Sequence, residues 1–367
     1  MAKSPLSSLL EPLLRPELAE LAPYSPHSGT YSIRLDANEA APFLSSEGKQ
    51  RLAQAAAEIA WERYPDVVAG ELRSALARRC QVTPDEILVG VGSDEVISWL
   101  LTALSRARAA ADCPLVLTMT PTFVMYRLSA RARGQRVLEV PLDDAWDLAE
   151  PSISAALRIA EPNVVFVASP HNPTGNKMSL ERLSRLAESA KNSLVVIDEA
   201  YIDYSDADQL ELYRRYANVA ILRTLSKIGF AALRVGWIIA RPELVRELDK
   251  LRLPYNLSSV SQRLASVAVS ELDAEIRRGV AGIVGERSRL SARLASLPGV
   301  EVTPSQANFL WVRSEAPAGD LWSALSEQGI LVRSFHTRGG RLAHSLRVTL
   351  GTPAENDAFF DAYRELV

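Results

Sequence analysis

The sequence predicts an α/β protein with a large domain, built on about seven mostly parallel strands, and a smaller α+β domain. Seven short apolar runs alternate with helical patterns between residues 87 and 250, which is typical of a doubly wound sheet. A long helical region follows from residue 257 to residue 297. The remaining tail reads strand, helix, strand, strand and helix, as in an α+β unit. We therefore place a domain boundary near residue 255 and assign residues 38–254 and 255–367 to the two domains.

Residues 1–37 are predicted to form an N-terminal arm. A short amphipathic helix near residues 16–21 leads through a segment rich in Pro, Ser and Gly to a strand-like run at 31–36. Such an arm is expected to pack on the small domain or on a partner subunit. Tyr24 lies within it, either as a turn aromatic or as a functional residue.

The large domain is predicted to begin with a turn around Asn38, which could cap the helix that follows. After that helix, Pro65 forces Tyr64 into an extended conformation, so residues 63–66 form a loop. The predicted strands, each leading to a turn or helix, are residues 87–92, 115–119, 136–140, 163–169, 193–198, 218–224 and 235–240.

A glycine turn joins the first of these strands directly to a helix. Gly92 permits close backbone approach, and Ser93 or Asp94 is predicted to cap the helix. The free N–H groups at this helix start face a potential anion. Because acidic side chains would repel phosphate, the backbone and Ser93 are the better candidates for binding it.

The composition is that of an ordinary globular enzyme, with 47% hydrophobic and 23% charged residues. A formal net charge of −3 gives no basic footprint for nucleic acid or for an anionic membrane. No apolar run approaches the length that spans a bilayer, and the first residues do not resemble a signal peptide. The two cysteines imply no disulfide framework, which fits a reducing cytoplasm, and the four histidines show no metal-ligand spacing, so no metal is expected.

Two segments between residues 195 and 234 contain the residue types that a catalytic cofactor requires. A buried β-branched run ends in Asp198, at the strand edge where open α/β sheets bind ligands. Lys227 follows Thr224 and Ser226, and Arg234 lies shortly beyond. Singly, such a lysine is usually a surface residue and such an aspartate a helix cap or a metal ligand. Together they suit pyridoxal phosphate (PLP), which needs a lysine for a Schiff base, a carboxylate for its ring nitrogen, and hydroxyls with an arginine for its phosphate.

Ten sequence blocks extend this interpretation over nearly the whole chain: LDANE, RYPD, GSDE, PTFVMY, SPHNPTG, VVIDEAY, TLSK with a following LR, ANFLWVR, GILVR and LRVTLGT. In these blocks and their order the chain resembles the fold-type-I PLP-dependent aminotransferases and, within them, the histidinol-phosphate aminotransferase family. Two positions depart from the family pattern. Ala-Ala-Pro follows Glu39 where Asn-Pro is usual, and His171 stands in SPHNPTG where this branch commonly has Asn.

The resemblance implies a role for each matching residue around the cofactor. Lys227 forms the Schiff base and moves the proton, Asp198 pairs with the ring nitrogen, and Tyr201 and Asn172 bind the ring 3′-oxygen. Phe123 lies on the ring face, at a position that is often tyrosine in the family. The phosphate ligands implied are Ser93, Asp94 through its N–H, Thr224, Ser226 and Arg234, with Tyr64 contributed by the partner subunit.

The resemblance also implies a substrate site and an assembly. Arg333 and Arg347 clamp the anionic end of the substrate, Asn38 contributes to the same site, and Tyr24 lies near the substrate of the partner. Arginine suits this role because its planar fork binds carboxylate and phosphate alike. A tyrosine supplied in trans implies a homodimer with shared active sites.

The activity implied is transamination between L-histidinol phosphate and 2-oxoglutarate, which gives imidazole-acetol phosphate and L-glutamate in histidine biosynthesis. Two alternatives use the same scaffold and most of the same cofactor contacts. One is an aromatic amino-acid aminotransferase, and the other is a PLP-dependent decarboxylase of the threonine-phosphate type.

Overall fold

The structure is a computed structural model that describes residues 9–10, 12–22, 29–108 and 113–367, so Tyr24 lies outside the described residues. The strands of the described chain are β1 (Ile33–Leu35), β2 (Ile87–Val91), β3 (Leu115–Thr120), β4 (Arg136–Pro141), β5 (Val164–Ala168), β6 (Leu194–Asp198), β7 (Val219–Thr224), β8 (Val235–Ile239), β9 (Glu301–Thr303), β10 (Phe309–Arg313), β11 (Ile330–Ser334) and β12 (Ser345–Thr349).

Seven of these strands form one sheet in the order β2-β8-β7-β6-β5-β3-β4. Neighbouring strands from β7 to β4 are parallel, whereas β8 is antiparallel to both β2 and β7. The prediction of a seven-stranded, mostly parallel sheet is confirmed. Because β8 runs against both neighbours, the carboxyl ends of β2, β3, β5, β6 and β7 share one edge with the first residue of β8.

Helices surround the sheet. The α-helices of the described chain are α1 (Ser46–Ala57), α2 (Gly70–Cys80), α3 (Gly92–Ala103), α4 (Met125–Arg131), α5 (Glu150–Ile159), α6 (Leu180–Ser189), α7 (Leu210–Arg215), α8 (Pro242–Asp249), α9 (Ser259–Glu271), α10 (Asp273–Ala295), α11 (Ala318–Glu327) and α12 (Pro353–Arg364). The predicted helical region at 257–297 consists of two helices, α9 and α10, which Leu272 separates. Within the described ranges, none of the helices combines the length and the apolar character needed to cross a bilayer.

Both faces of the large sheet are buried, which explains its continuous apolar runs. Val164 and Phe166 of β5 face a core that α3, α4 and α8 cover. Val165 and Val167 of the same strand face the opposite core, which is continuous with the second sheet. Alternate residues of β5 therefore pack into two different cores, one on each face of the sheet. Polar residues follow only where the strand ends.

The second sheet has the order β1-β11-β12-β10-β9. Its strands are antiparallel except for β1, which pairs in parallel with β11. The strand-like run of the predicted arm thus joins the sheet formed by the C-terminal part of the chain. That pairing brings Arg34 and Asp36 toward the edge of the large sheet.

Candidate active site

A cavity of about 460 Å³ lies at the carboxyl edge of the large sheet, against β1, β11 and β12 of the second sheet. Of the residues predicted for the site, those that line this cavity are Asn38, Ser93, Asp94, Phe123, Asn172, Asp198, Tyr201, Thr224, Ser226, Lys227, Arg234, Arg333 and Arg347. Residues from distant parts of the chain thus meet where the strand ends converge, as expected for an open α/β sheet.

Asp198 ends β6 and is almost completely buried. Its Oδ2 accepts a hydrogen bond of 2.6 Å from Tyr126 Oη, and its Oδ1 accepts one of 3.0 Å from the N–H of Ala200. Burial raises the pKa of Asp198 to about 6, although these two donors act in the opposite direction. The carboxylate is therefore mostly ionised at pH 7 and fixed in orientation, as a partner for a protonated ring nitrogen requires.

Lys227 lies in a 3-10 turn, Ser226–Ile228, just after β7. Its backbone oxygen accepts a 2.6 Å hydrogen bond from Tyr204 Oη, and its Nζ donates to the backbone oxygen of Ala37 at 3.3 Å. Burial and the positive charge of Arg347 lower the pKa of Lys227 to about 8. A substantial neutral fraction near pH 8 equips this amine to attack a carbonyl and to exchange a proton.

Tyr201 and Asn38 form a buried polar pair at the cavity wall. Asn38 adopts a left-handed conformation with φ of 56° and donates from Nδ2 to Tyr201 Oη at 2.9 Å. Thr349 Oγ1 accepts from the Asn38 N–H and donates to its Oδ1, at 3.0 and 3.1 Å. Asn38 does not cap helix α1, where Ser45 accepts a hydrogen bond from Gly48. Asn38 instead holds the phenol of Tyr201 in place and is itself held by Thr349 of β12.

Asn172 follows β5 in a compact turn. His171 Nδ1 lies 2.7 Å from Thr174 Oγ1, and the Gly175 N–H donates to the His171 oxygen at 2.7 Å. Burial lowers the pKa of His171 to about 3, so its ring is neutral. The turn presents Asn172 Oδ1 to Arg347 Nη1 at 2.8 Å, which joins the large sheet to the second sheet across the cavity.

One end of the cavity is suited to bind an anion. Thr224 Oγ1 lies 3.0 Å from Ser226 Oγ, and Arg234 Nη1 donates to the same Ser226 oxygen at 3.4 Å. Arg234 Nη2 also lies 3.7 Å from Asp94 Oδ2. Helix α3 begins at Gly92, so the prediction that Ser93 or Asp94 caps it is wrong. Both residues occupy its first turn instead, where backbone N–H groups remain available to a phosphate.

Gly236 of β8 makes this end of the cavity possible. A Cβ atom at Gly236 would lie 2.3 Å from the backbone nitrogen of Ser93, closer than any real contact. The start of helix α3 therefore packs directly on the strand that follows Arg234. A residue without a side chain is needed where two backbones approach this closely.

Arg347 and Arg333 face each other as cross-strand partners on β12 and β11. Arg347 is largely buried, and its Nη2 donates to the Asp36 backbone oxygen at 2.5 Å. Its guanidinium also lies over the rings of Phe309 and Phe335, at 5.4 and 6.0 Å. These contacts fix Arg347 firmly at the wall of the cavity formed by the second sheet.

Tyr64 is placed outside the cavity. It is 81% exposed and stacks on Tyr255 with ring centroids 4.6 Å apart. Within this single chain it does not reach Ser226 or Arg234, so its predicted phosphate contact depends on a second subunit.

Sequence reasoning missed several lining residues. Tyr126, the donor to Asp198, is fully buried and stacks on Phe166 with ring centroids 4.8 Å apart. Its place in PTFVMY, close to Phe123, was the available signal, and the rings of Phe123 and Tyr126 lie 5.5 Å apart. The charged lining residues that were also missed are Arg34, Asp36, Glu39 and Arg338.

The side chains of the cavity fit PLP. The hydroxyls of Thr224 and Ser226, Arg234 and the first turn of α3 suit its phosphate, whereas Asp198 suits its ring nitrogen. Lys227 borders the same cavity, and Phe123 offers an aromatic face. In the described parts of the chain no group of three or more His, Cys, Asp or Glu side chains could hold a metal ion.

Comparison with known proteins supports this chemistry. The family model described as aminotransferase class I and II matches residues 31–362. The chain is 37% identical to the histidinol-phosphate aminotransferase of Chromobacterium violaceum, covering 96% of this chain and 97% of that protein. It is 35% identical to that of Aquifex aeolicus, covering 95% and 97%. The crystal structure of histidinol-phosphate aminotransferase from Sinorhizobium meliloti, in complex with pyridoxal-5′-phosphate, matches with a TM-score of 0.83 at 24% identity, covering 96% and 98%.

Proposed function

Because this chain belongs to the class I and II aminotransferases and, within them, to the histidinol-phosphate aminotransferase family, we propose that it uses L-histidinol phosphate as amino donor and 2-oxoglutarate as acceptor. The products are imidazole-acetol phosphate and L-glutamate, as in histidine biosynthesis. The enzyme is PLP-dependent, and its substrates are small molecules.

When bound, PLP supplies an electron sink that stabilises negative charge at the substrate carbon bearing the amino group. Lys227 would hold the cofactor through its Nζ, and the same amine would carry a proton to and from that carbon. Asp198, held by Tyr126, would face the positive charge of the ring nitrogen. Tyr201, fixed by Asn38, and Asn172, fixed by Arg347, would orient the ring oxygen. Thr224, Ser226 and Arg234 would bind the phosphate.

The observation that carries the choice of donor is the set of arginines on the substrate side of the cavity. Arg333, Arg347 and Arg34 reach it from β11, β12 and β1 of the second sheet. Guanidinium groups bind phosphate and carboxylate in the same forked geometry. One site can therefore accept a phosphorylated donor in one half-reaction and a dicarboxylate in the other.

A donor panel tests this proposal. With 2-oxoglutarate as acceptor, kcat/KM for L-histidinol phosphate should exceed that for phenylalanine or tyrosine by at least about a hundredfold, since charge-assisted contacts to phosphate are strong. Unphosphorylated histidinol should be a poor donor for the same reason. Comparable turnover of phenylalanine and histidinol phosphate would favour the aromatic aminotransferase. Release of CO₂ from O-phosphothreonine, without formation of glutamate, would favour the decarboxylase.

We also propose that the enzyme is a homodimer in which Tyr64 contacts the cofactor phosphate of the partner subunit. Large apolar side chains are concentrated around Tyr64 on the surface: Trp61 and Leu253 are 72% and 70% exposed, and Val67, Val68 and Tyr255 are also exposed. These residues are close in sequence to Tyr64 or to its stacking partner Tyr255, and exposed apolar side chains grouped in this way favour an interface between subunits. The arm containing Tyr24 is proposed to reach the same interface.

Mixing two impaired chains tests the shared site, with activity compared with that of each chain alone. One chain carries Tyr64→Phe and the other carries Lys227→Ala. If Tyr64 acts in trans, each hybrid dimer contains one site with both defects and one site with neither, so activity should partly return on mixing. A hybrid that forms, as verified by differential tagging, and yet stays inactive would show that Tyr64 acts within its own chain.

A cytoplasmic location is proposed as well. Cys80 and Cys113 are both free thiols, and Cys80 is buried. Unpaired cysteines are typical of proteins that work in a reducing compartment.

A further inference from the structure

The connection between β11 and β12 carries a guanidinium that the sequence did not single out. It contains two short 3-10 turns, His336–Arg338 and Gly340–Leu342. Gly339 lies between them and Gly340 begins the second, and they adopt φ of 66° and 54°, a region that residues with side chains rarely occupy. The glycine pair turns the chain sharply after Arg338, so this side chain is presented to the cavity that Arg333 and Arg347 line.

Arg341 holds this connection against the large domain. Its guanidinium lies 3.6 Å from the ring centroid of Trp146, and its Nη1 and Nη2 donate to the backbone oxygens of Asp143 and Asp144, both at 2.8 Å. A planar cation stacked on indole and bonded at both ends has little freedom. The segment that carries Arg338 is therefore held in place on its C-terminal side by Arg341.

Phe335 fixes the near side of the same connection. Its ring packs on Trp311 with centroids 5.3 Å apart, and Trp311 in turn packs on Trp146 at 6.1 Å. The guanidinium groups of Arg338 and Arg347 lie 5.9 and 6.0 Å from the centroid of Phe335. One aromatic side chain thus contacts two arginines that line a single cavity.

Four acidic residues line the cavity, and three of them contact groups other than Arg338: Asp36 lies 3.4 Å from Arg34, Asp94 lies 3.7 Å from Arg234, and Asp198 accepts from Tyr126. The fourth, Glu39, acts on the charge of Lys227. Near Arg338 the charged groups outside the cavity are Arg127 and Glu139, which lie 4.0 Å from each other. The side of the cavity around Arg338 and Arg333 is therefore rich in positive charge, which favours an anion with more than one charge.

We propose that Arg338 is a specificity-determining residue that binds the phosphate of the amino donor and contributes little to the binding of glutamate. This proposal rests on the proposed function. A phosphate monoester carries close to two negative charges and three terminal oxygens, whereas a carboxylate carries one charge and two oxygens. Because Arg34 lies 3.4 Å from Asp36, Arg347 and Arg333 are left for the two carboxylates of glutamate, and Arg338 adds binding energy only for the phosphate.

The position of the phosphate in the donor supports the same assignment. In histidinol phosphate a CH2–O–phosphate group stands where glutamate has its α-carboxylate, and its phosphorus lies three bonds from the carbon that bears the amino group. The α-carboxylate carbon is attached to that carbon directly, and the γ-carboxylate of glutamate lies on the other substituent. On the first substituent the donor therefore extends its anion farther than glutamate does. Arg338 lies on the connection beyond the end of β11, where its charged neighbours are Arg333, Arg127 and Glu139.

Three holoenzyme variants test the proposal: Arg338→Gln, which removes the charge, Arg338→Lys, which keeps the charge without the fork, and Arg127→Gln as the matched control. Arg127 contributes a nearby positive charge but does not line the cavity. The two half-reactions are measured separately, with L-histidinol phosphate and with L-glutamate, and inorganic phosphate is titrated as an inhibitor of the glutamate half-reaction.

For Arg338→Gln, kcat/KM for histidinol phosphate should fall at least about tenfold, mainly through KM, since one charge-assisted contact is lost. Its kcat/KM for glutamate should stay within about threefold, and inorganic phosphate should inhibit it more weakly. Arg338→Lys should recover part of the loss. Arg127→Gln should leave the ratio of kcat/KM for histidinol phosphate to kcat/KM for glutamate unchanged. Equal losses for both substrates, or no loss for either, would overturn the role of Arg338. A wild-type enzyme that rejects histidinol phosphate would instead overturn the proposed function itself.

Discussion

Replacing Lys227 by alanine should abolish transamination while the protein stays folded. The amine is half-buried, borders the cavity and has a pKa lowered to about 8, so it can both attack the cofactor aldehyde and exchange a proton. General acid–base participation alone is worth about 10²–10⁴-fold in rate, and the covalent anchor is lost as well. Stability should change little, because Nζ makes a single long hydrogen bond of 3.3 Å, to Ala37.

Borohydride reduction followed by peptide mapping checks the anchor, and single-turnover kinetics check the rate. The matched control is Lys250→Ala, which removes an exposed lysine paired with Glu247 on helix α8 and should leave both readouts unchanged. Circular dichroism establishes that each variant is folded. A Lys227→Ala protein that still gave a reduced adduct at full occupancy would place the anchor on another residue.

Asp198→Asn should slow the proton-transfer step by about 10²–10³-fold. Asparagine has nearly the same shape but carries no negative charge, so a protonated ring nitrogen would lose its buried counter-charge. Breaking a buried ion pair costs about 3–5 kcal/mol, and each 1.4 kcal/mol corresponds to about tenfold in rate. A loss of less than about tenfold would mean that the charge of the ring is set by other groups.

Tyr126→Phe is the matched control for Asp198→Asn. It keeps the carboxylate and the stacking on Phe166 and removes only the 2.6 Å hydrogen bond, so the proton-transfer step should slow by about tenfold.

The pH dependence of cofactor binding gives a second readout. With a pKa of about 6 in the protein without cofactor, Asp198 becomes protonated as the pH falls from 7.5 to 5. Cofactor affinity of the wild type should therefore decrease over this range, whereas that of Asp198→Asn should change much less.

The strands of the large sheet were predictable because each interrupts a helical pattern and all but the edge strand β4 are buried on both faces. Their direction was not, since a continuous apolar run such as 235–240 looks the same whether it runs with or against its neighbours. The break between α9 and α10 at Leu272 was missed for a similar reason. Neither proline nor glycine marks it, and the helical pattern continues through it.

The site was predictable where chemistry depends on rare combinations, as for Asp198, Lys227 and Arg234. It was not predictable where a residue acts through a contact that spans the fold. Tyr126 reads as an ordinary core aromatic until its Oη is seen to reach Asp198, 72 positions along the chain. Arg338 reads as a surface charge beside two glycines, and only its position next to Arg333 and Phe335 indicates a role.

Strand β8 pairs antiparallel with β7, the strand that precedes it in the chain. Between the two strands the Leu225 N–H donates to the Val235 oxygen at 3.0 Å. A parallel connection would require a crossover of about a dozen residues or more. Here two 3-10 turns, Ser226–Ile228 and Ala231–Leu233, with Gly229 and Phe230 between them, connect Lys227 to Arg234. The segment is a spacer of fixed length between the residue proposed to hold the cofactor covalently and the arginine proposed to bind its phosphate. A residue inserted into it would misalign the two anchors while leaving every site side chain in the sequence, so the length of this segment is itself a determinant of activity.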